Sequence, residues 1–145
     1  MTFTGNATTR NGIMRLSLVV PVPPDKNDRY SPNCIAAQPG GRLYYKAREG
    51  LWKLSPAARK YQAQLHGALA TILPRRPWFV KGQEWALYVD AYDLGDVDHY
   101  LPGLLDDLCS GGLAKGDKGC RLRVARAHEP EGEPYVEVHA VSEIP

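Results

Sequence analysis

The chain has 145 residues, 43% of them hydrophobic and 23% charged, which suits one soluble globular domain with a real core. No apolar run approaches the ~20 residues of a membrane helix, and the first residues lack the apolar stretch of a secretory leader. The net charge of +2 hides a division: Met1 to Lys81 carries 13 Lys/Arg against 3 Asp/Glu, whereas Gly82 to Pro145 carries 5 against 13. That segregation predicts one half facing a polyanion and an acidic half holding something cationic.

Met1 to Gly12 is polar and rich in Thr, Asn and Gly, and predicts a flexible tail ahead of a single domain over residues 13–145. Met14 to Val20 reads as a strand that stops at Pro21-Val22-Pro23-Pro24, where prolines remove ladder donors. Asp25 to Tyr30 reads as a polar turn, and Arg42 to Lys46 as a short strand after Gly40-Gly41. This region interleaves Arg29, Arg42, Lys46, Arg48 and Lys53 with Tyr30, Tyr44, Tyr45 and Trp52. Basic side chains contact phosphates and aromatic rings stack on bases, so these are candidate DNA contacts. A loop-rich surface whose aromatics cover the core accounts for the same pattern.

Ser55 is a good N-cap and Pro56 suits the first helical position. Ala58, Tyr61, Leu65, Ala68, Leu69 and Ile72 then form an apolar stripe at helical spacing, closed by Pro74. Glu84 to Tyr92 alternates as a half-buried strand with Trp85, Leu87, Val89 and Ala91 on one face. Leu101, Leu104, Leu105 and Leu108 predict a short second helix ended by Gly111-Gly112. Arg121 to Ala127 and Tyr135 to Val141 both alternate, and the Glu/Pro/Gly-rich link between them predicts an antiparallel hairpin. The expected fold is α/β (α+β): one compact domain, a small mixed sheet and two principal helices in the order β-α-β-α-β-β.

Between the Glu84–Tyr92 strand and the second helix lies Asp93-Leu94-Gly95-Asp96-Val97-Asp98-His99-Tyr100. A strand that ends in carboxylates needs something to offset their charge. In an extended chain Asp96 and Asp98 point to one side, and the short helix offers a way to return Asp117 toward them. Three carboxylates together repel unless protonated or bridged by a hard cation, and Mg²⁺ prefers such oxygen ligands while leaving positions for phosphate and water. Mn²⁺ would substitute. That chemistry suits phosphodiester hydrolysis. Singly, Asp98 reads equally as a helix cap and Asp117 as a turn residue. Three cysteines, Cys34, Cys109 and Cys120, have no close pairing with one another or with a histidine pair, so buried thiols in a reducing cytoplasm are expected rather than zinc or disulfides.

The order of these features resembles the RusA family of Holliday-junction resolvases. The family pattern of Asp-x-Asp-Asn, a Leu-Asp-Ala-Leu-like helix, a Gly-containing turn and an aspartate appears as Asp96-Val97-Asp98-His99, Leu105-Asp106-Asp107-Leu108, Gly111-Gly112-Leu113 and Asp117. The separation of Asp96 from Asp117 matches without a gap. Pro23-Pro24 with Asn27 and Tyr30, and Leu54 to Tyr61, extend the likeness over Met14 to Arg126.

The resemblance implies a RusA-like fold and a homodimeric, Mg²⁺-dependent endonuclease that cuts four-way junctions and other branched DNA in a bacterial or phage-infected cell. It puts Asp96, Asp98 and Asp117 on the metal-binding aspartates, Asp106 on the helix aspartate, and Asn27 and Tyr30 in the DNA-facing segment. Three positions depart from it: Pro102 stands where the family has a catalytic lysine, His99 where it has asparagine, and Gly116 where an acidic residue is expected just before Asp117. Lys118, with Lys115 beside it, is the candidate to supply the missing ammonium, and His99 a candidate base or ligand. A branched-DNA-binding protein that has lost catalysis is the alternative. A small-molecule phosphoesterase using the same carboxylates fits the basic half less well.

Overall fold

The computed structural model describes residues 2–32 and 52–143 of the chain. Among the described residues, seven strands and three helices run in the order β1 (Thr4–Arg10), β2 (Ile13–Pro21), α1 (Lys26–Arg29), β3 (Tyr30–Pro32), β4 (Trp52–Leu54), α2 (Pro56–Ile72), β5 (Trp85–Tyr92), α3 (Leu101–Ser110), β6 (Cys120–His128) and β7 (Tyr135–Val141). Five strands form one mixed sheet in the order β1-β2-β7-β5-β6, and β3 pairs with β4 in a separate two-stranded ribbon. The expected mixed α+β domain with two principal helices is what forms.

α2 forms where the apolar stripe and cap predict it. The Ser55 hydroxyl accepts the Ala58 N–H at 3.1 Å, and Ala58, Tyr61, Leu65 and Leu69 are buried. They meet the sheet face built from Leu16, Leu18 and Val20 of β2, Leu87 and Val89 of β5, and Val136, Val138 and Ala140 of β7. α3 adds Leu104, Leu105 and Leu108 to the same core. This alternation is the period-two signature of a sheet covered on one side.

Three expectations need correction. Residues 4–10 are not a loose tail but strand β1, paired antiparallel with β2 from Thr4–Val19 to Arg10–Ile13. Asn11 and Gly12 turn the chain with φ of 54° and 77°, the paired positive values that an Asn-Gly hairpin turn supplies. Asp25 to Tyr30 is not merely a turn: Asp25 Oδ1 accepts the Asn27 N–H at 2.8 Å and caps the one-turn helix α1. Finally, β6 and β7 are not a hairpin. Both pair with β5, β7 antiparallel on one side and β6 parallel on the other. β5 is thus an interior strand with a partner along each edge, and its side chains are buried on both faces, including Ala86 and Asp90.

Candidate functional site

The carboxylate stretch sits where β5 gives way to α3. Val97 is buried and anchors a 3-10 turn over Val97–His99, and Tyr100, also buried, leads into α3. Asp96 caps that turn: its Oδ1 accepts the Asp98 N–H at 3.0 Å. The extended geometry that would point Asp96 and Asp98 to one side is therefore replaced by a turn. Both aspartates remain exposed.

His99 bridges two acids. Its Nδ1 lies 3.1 Å from Asp25 Oδ2, and its Nε2 3.6 Å from Asp96 Oδ2. Asp25 is held below the usual carboxylate range chiefly by the Asn27 backbone N–H, which with the hydrogen bond and charge of His99 outweighs the opposing effect of burial. The imidazole thus ties the Asp96 turn to the N-terminus of α1. It is engaged as a positioning group more than as a free base.

Asp117 starts a second 3-10 turn, Asp117–Gly119, directly before β6. In the parallel register Trp85 faces Cys120 and Tyr92 faces His128. Asp96 and Asp98 thus follow the C-terminal end of β5, while Asp117 precedes the opposite, N-terminal end of its neighbour. The loop after β5 folds back so that the Val97–His99 turn packs on α3 and β6. Arg123 Nη2 donates to Asp117 Oδ2 at 3.3 Å, with both side chains about half exposed.

The donor chemistry fits Mg²⁺, since every candidate ligand is a carboxylate oxygen. The assembly is incomplete: among the described residues no three His, Cys, Asp or Glu side chains are grouped closely enough to hold an ion. Asp96 and Asp98 are neighbours, and Asp117 is committed to Arg123 instead. One buried atom near them is unsatisfied. Among the described residues the Tyr100 hydroxyl has no hydrogen-bond partner, and burial, with the charges of Asp93 and Asp96, pushes its pKa up to about 12. The sequence offered no sign of it beyond an aromatic residue next to an acidic turn.

The basic residues divide. Arg29, expected on a DNA-facing surface, is buried, and its guanidinium grips Asp107 with Nη1–Oδ2 at 3.0 Å and Nη2–Oδ1 at 2.9 Å. Hydrogen bonding to Asp107 raises its proton affinity further, against the effect of burial. Gln62 Nε2 donates to the same Asp107 Oδ1 at 2.9 Å. Arg29 is thus a structural cation, and the structural aspartate of α3 is Asp107; Asp106, on which the resemblance falls, is exposed. The helical phase carried that signal, because Asp107 lies three residues after buried Leu104 and Asp106 lies off that face. Asn27 and Tyr30 are exposed, and the Arg29 guanidinium lies 5.6 Å from the Tyr30 ring centroid. Lys53 lies in β4 with its backbone opposite Ser31; Arg42, Lys46 and Arg48, with Cys34, lie outside the described residues. Lys115 and Lys118 are exposed around Asp117, and Pro102 is exposed in the first turn of α3.

A second acid escaped sequence reasoning altogether. Asp90 of β5 is buried on the sheet face away from the helices, where Arg126 Nε and His128 Nε2 donate to its Oδ1 at 3.0 and 2.8 Å. Burial pushes its pKa up, but those hydrogen bonds prevail and hold it below the usual carboxylate range. Beside it the rings of Tyr135, Tyr92 and His128 stack across three strands, with centroids 4.7 Å apart at each step. No helix among the described residues is long and apolar enough to cross a membrane. No family model matches the chain, and no curated protein matches it.

Proposed function

We propose that this protein is a Mg²⁺-dependent, structure-specific endodeoxyribonuclease that resolves Holliday junctions and other branched DNA as a homodimer in the cytoplasm. The observation that carries the reading is the β5–α3–β6 unit, with Asp96 and Asp98 in the turn leaving the central strand and Asp117 in the turn entering its parallel neighbour. That is the order and spacing for which the chain resembles the RusA family. When bound, Mg²⁺ would activate water and stabilise the leaving oxygen. The chain's own part is to supply Asp96 and Asp98 from a turn held by buried Val97 and to hold Asp96 through His99; Asp117 would have to exchange Arg123 for the ion to join them. Lys118, next to Asp117, is the candidate for the charge that the family's lysine would place on the transition state, and His99, held between Asp25 and Asp96, positions the carboxylate turn.

A second reading keeps the fold and the DNA but not the chemistry. Pro102 in place of lysine, and an Asp117 already paired with Arg123, favour a branched-DNA-binding protein with weakened or lost catalysis. One titration separates the two. Wild-type protein and Asp96→Asn are incubated side by side with a synthetic four-way junction over a range of Mg²⁺ and Mn²⁺. Symmetric nicking by wild type alone supports the nuclease, whereas tight, uncut binding by both proteins supports the second reading.

A further inference from the structure

The lead-in segments of β5 and β6 run side by side. A parallel bridge between Phe79 and Ala114 aligns them, with the Phe79 N–H donating to the Leu113 carbonyl at 2.8 Å. Parallel strands put both lead-ins at the same end of the sheet. The loops beyond the bridge therefore converge, and they enclose an open cavity of about 550 Å³. Close approach is built in at Gly119, where a Cβ would stand 2.6 Å from the Gln83 carbonyl oxygen and 3.0 Å from Trp85 Nε1.

The rim of this cavity is cationic. Lys81 comes from the first loop, Lys115 and Lys118 from the second, and Arg121 from the start of β6, against the single acid Glu84. Glu84 lies 3.7 Å from Arg121 Nε, and the three lysines have no ion-pair partner among the described residues. Lys115, Lys118 and Arg121 are three of only five Lys/Arg in the acidic half of the chain. The fold thus gathers most of that half's positive charge, together with Lys81, at one mouth. Unpaired like charges held near one another repel and lower stability unless a counter-charge joins them.

We infer that this cavity is a seat for DNA backbone phosphates, distinct from the Tyr30 region at which the sequence pointed. The inference rests on the DNA-directed reading above and names where the strand lies. All four cations stand exposed on the rim while the floor, Phe79 and Trp85, is buried and apolar. Rim cations track an extended polyanion, whereas a site for one small anion would close around it. Asp117 stands between Lys115 and Lys118, so a strand held there passes the aspartate proposed for the metal.

The test is equilibrium binding of a fluorescent four-way junction in EDTA, at several salt concentrations. It uses wild type, Lys81→Ala/Lys115→Ala/Lys118→Ala, and a charge-matched control, Arg10→Ala/Arg59→Ala/Arg75→Ala. The pocket variant is expected to bind at least about tenfold more weakly near 0.1 M salt, with its log–log salt slope shallower by about 2–3. The control is expected to change the affinity less than about threefold. Equal losses in the two triple variants, or an unchanged affinity in the first, overturn the cavity while leaving the nuclease reading in place. Displacement of the junction by micromolar pyrophosphate also overturns it, because the seat would then belong to a small anion. Absence of any salt-dependent DNA binding by wild type sinks the reading and the cavity together.

Discussion

Arg29 and Asp107, 78 positions apart, form a two-pronged ion pair at 3.0 and 2.9 Å inside the protein. It fastens α1 to α3, and hence the Asp25–His99–Asp96 chain to the helix that leaves the carboxylate turn. Removing one partner strands a buried charge, at a cost of about 3–5 kcal/mol. Total stability of a domain this size is about 5–15 kcal/mol, so Asp107→Asn and Arg29→Ala should each show a large drop in urea midpoint. Arg29→Met/Asp107→Leu should recover much of it, since the desolvation of both charges is removed together. Equal stability of wild type and Asp107→Asn would show that the pair carries no weight.

Gly103 looks like a defect in α3, because glycine disfavours a helix by about 1 kcal/mol relative to alanine. Its place is set by Arg29, whose Cδ and Nη1 would lie 2.9 and 3.0 Å from an added Cβ. The arginine cannot step aside while Asp107 holds it. Gly103→Ala should therefore destabilise by about 1–3 kcal/mol, the usual range for overpacking, despite the better helix residue. A rise in melting temperature would mean that propensity wins and that the clamp is loose.

Asp90 gives a pH-dependent prediction whose sign follows from its depressed pKa. The unfolded carboxylate titrates near its reference value of 3.8 and the folded one lower. Its contribution to stability is thus complete above that reference and fades as pH falls through the folded value. Hydrogen bonds to a charged group contribute about 1.5–3 kcal/mol, discounted here because Arg126 is largely exposed. Asp90→Asn should cost about 1–2 kcal/mol at pH 7, a deficit that shrinks steadily as pH falls below 3.8 and the folded carboxylate takes up its proton. A deficit that stays constant down to pH 2 would assign the loss to packing.

The elements were legible wherever one stripe or one alternation decides burial. α2 follows from Ser55, Pro56 and the Tyr61–Leu65–Leu69 stripe, and β5 from Trp85, Leu87 and Val89. Partnership was not legible. Alternation in β6 and β7 tells which side chains face the core and nothing about which strand lies alongside, so β5 came between them unannounced. The Asn11-Gly12 turn was readable and was outweighed by the polarity of an edge strand, whose side chains are mostly exposed. At the site, the sequence identified the aspartates but not their partners. Arg123, His99 with Asp25, and the Lys81–Lys118 mouth all depend on chain segments meeting in space.

Pro102 marks the largest departure from the resemblance. It is exposed in the first turn of α3, where proline is tolerated and lysine is too. Pro102→Lys should leave stability within about 1 kcal/mol, since an exposed substitution breaks no contact. If a lysine ammonium can reach the scissile phosphate from there, single-turnover junction cleavage should rise about tenfold or more, given that one transition-state donor is worth about 10²–10³. An unchanged rate would show that Pro102 is not what limits catalysis.

Arg123 tests the metal site itself. Its guanidinium holds the Asp117 carboxylate at 3.3 Å, in competition with any cation that Asp117 serves. Both groups are about half exposed, so the pair contributes only about 0.2–1 kcal/mol and yields readily. Arg123→Ala should barely alter the melting temperature. It should lower the metal concentration for half-saturation, read with Mn²⁺ by electron paramagnetic resonance, by up to about fivefold, the equivalent of that energy. Asp117→Asn should weaken Mn²⁺ binding in both backgrounds. If Arg123→Ala leaves Mn²⁺ affinity unchanged while Asp96→Asn abolishes it, the ion is held by the Asp96–Asp98 turn without Asp117, and the three-carboxylate arrangement falls.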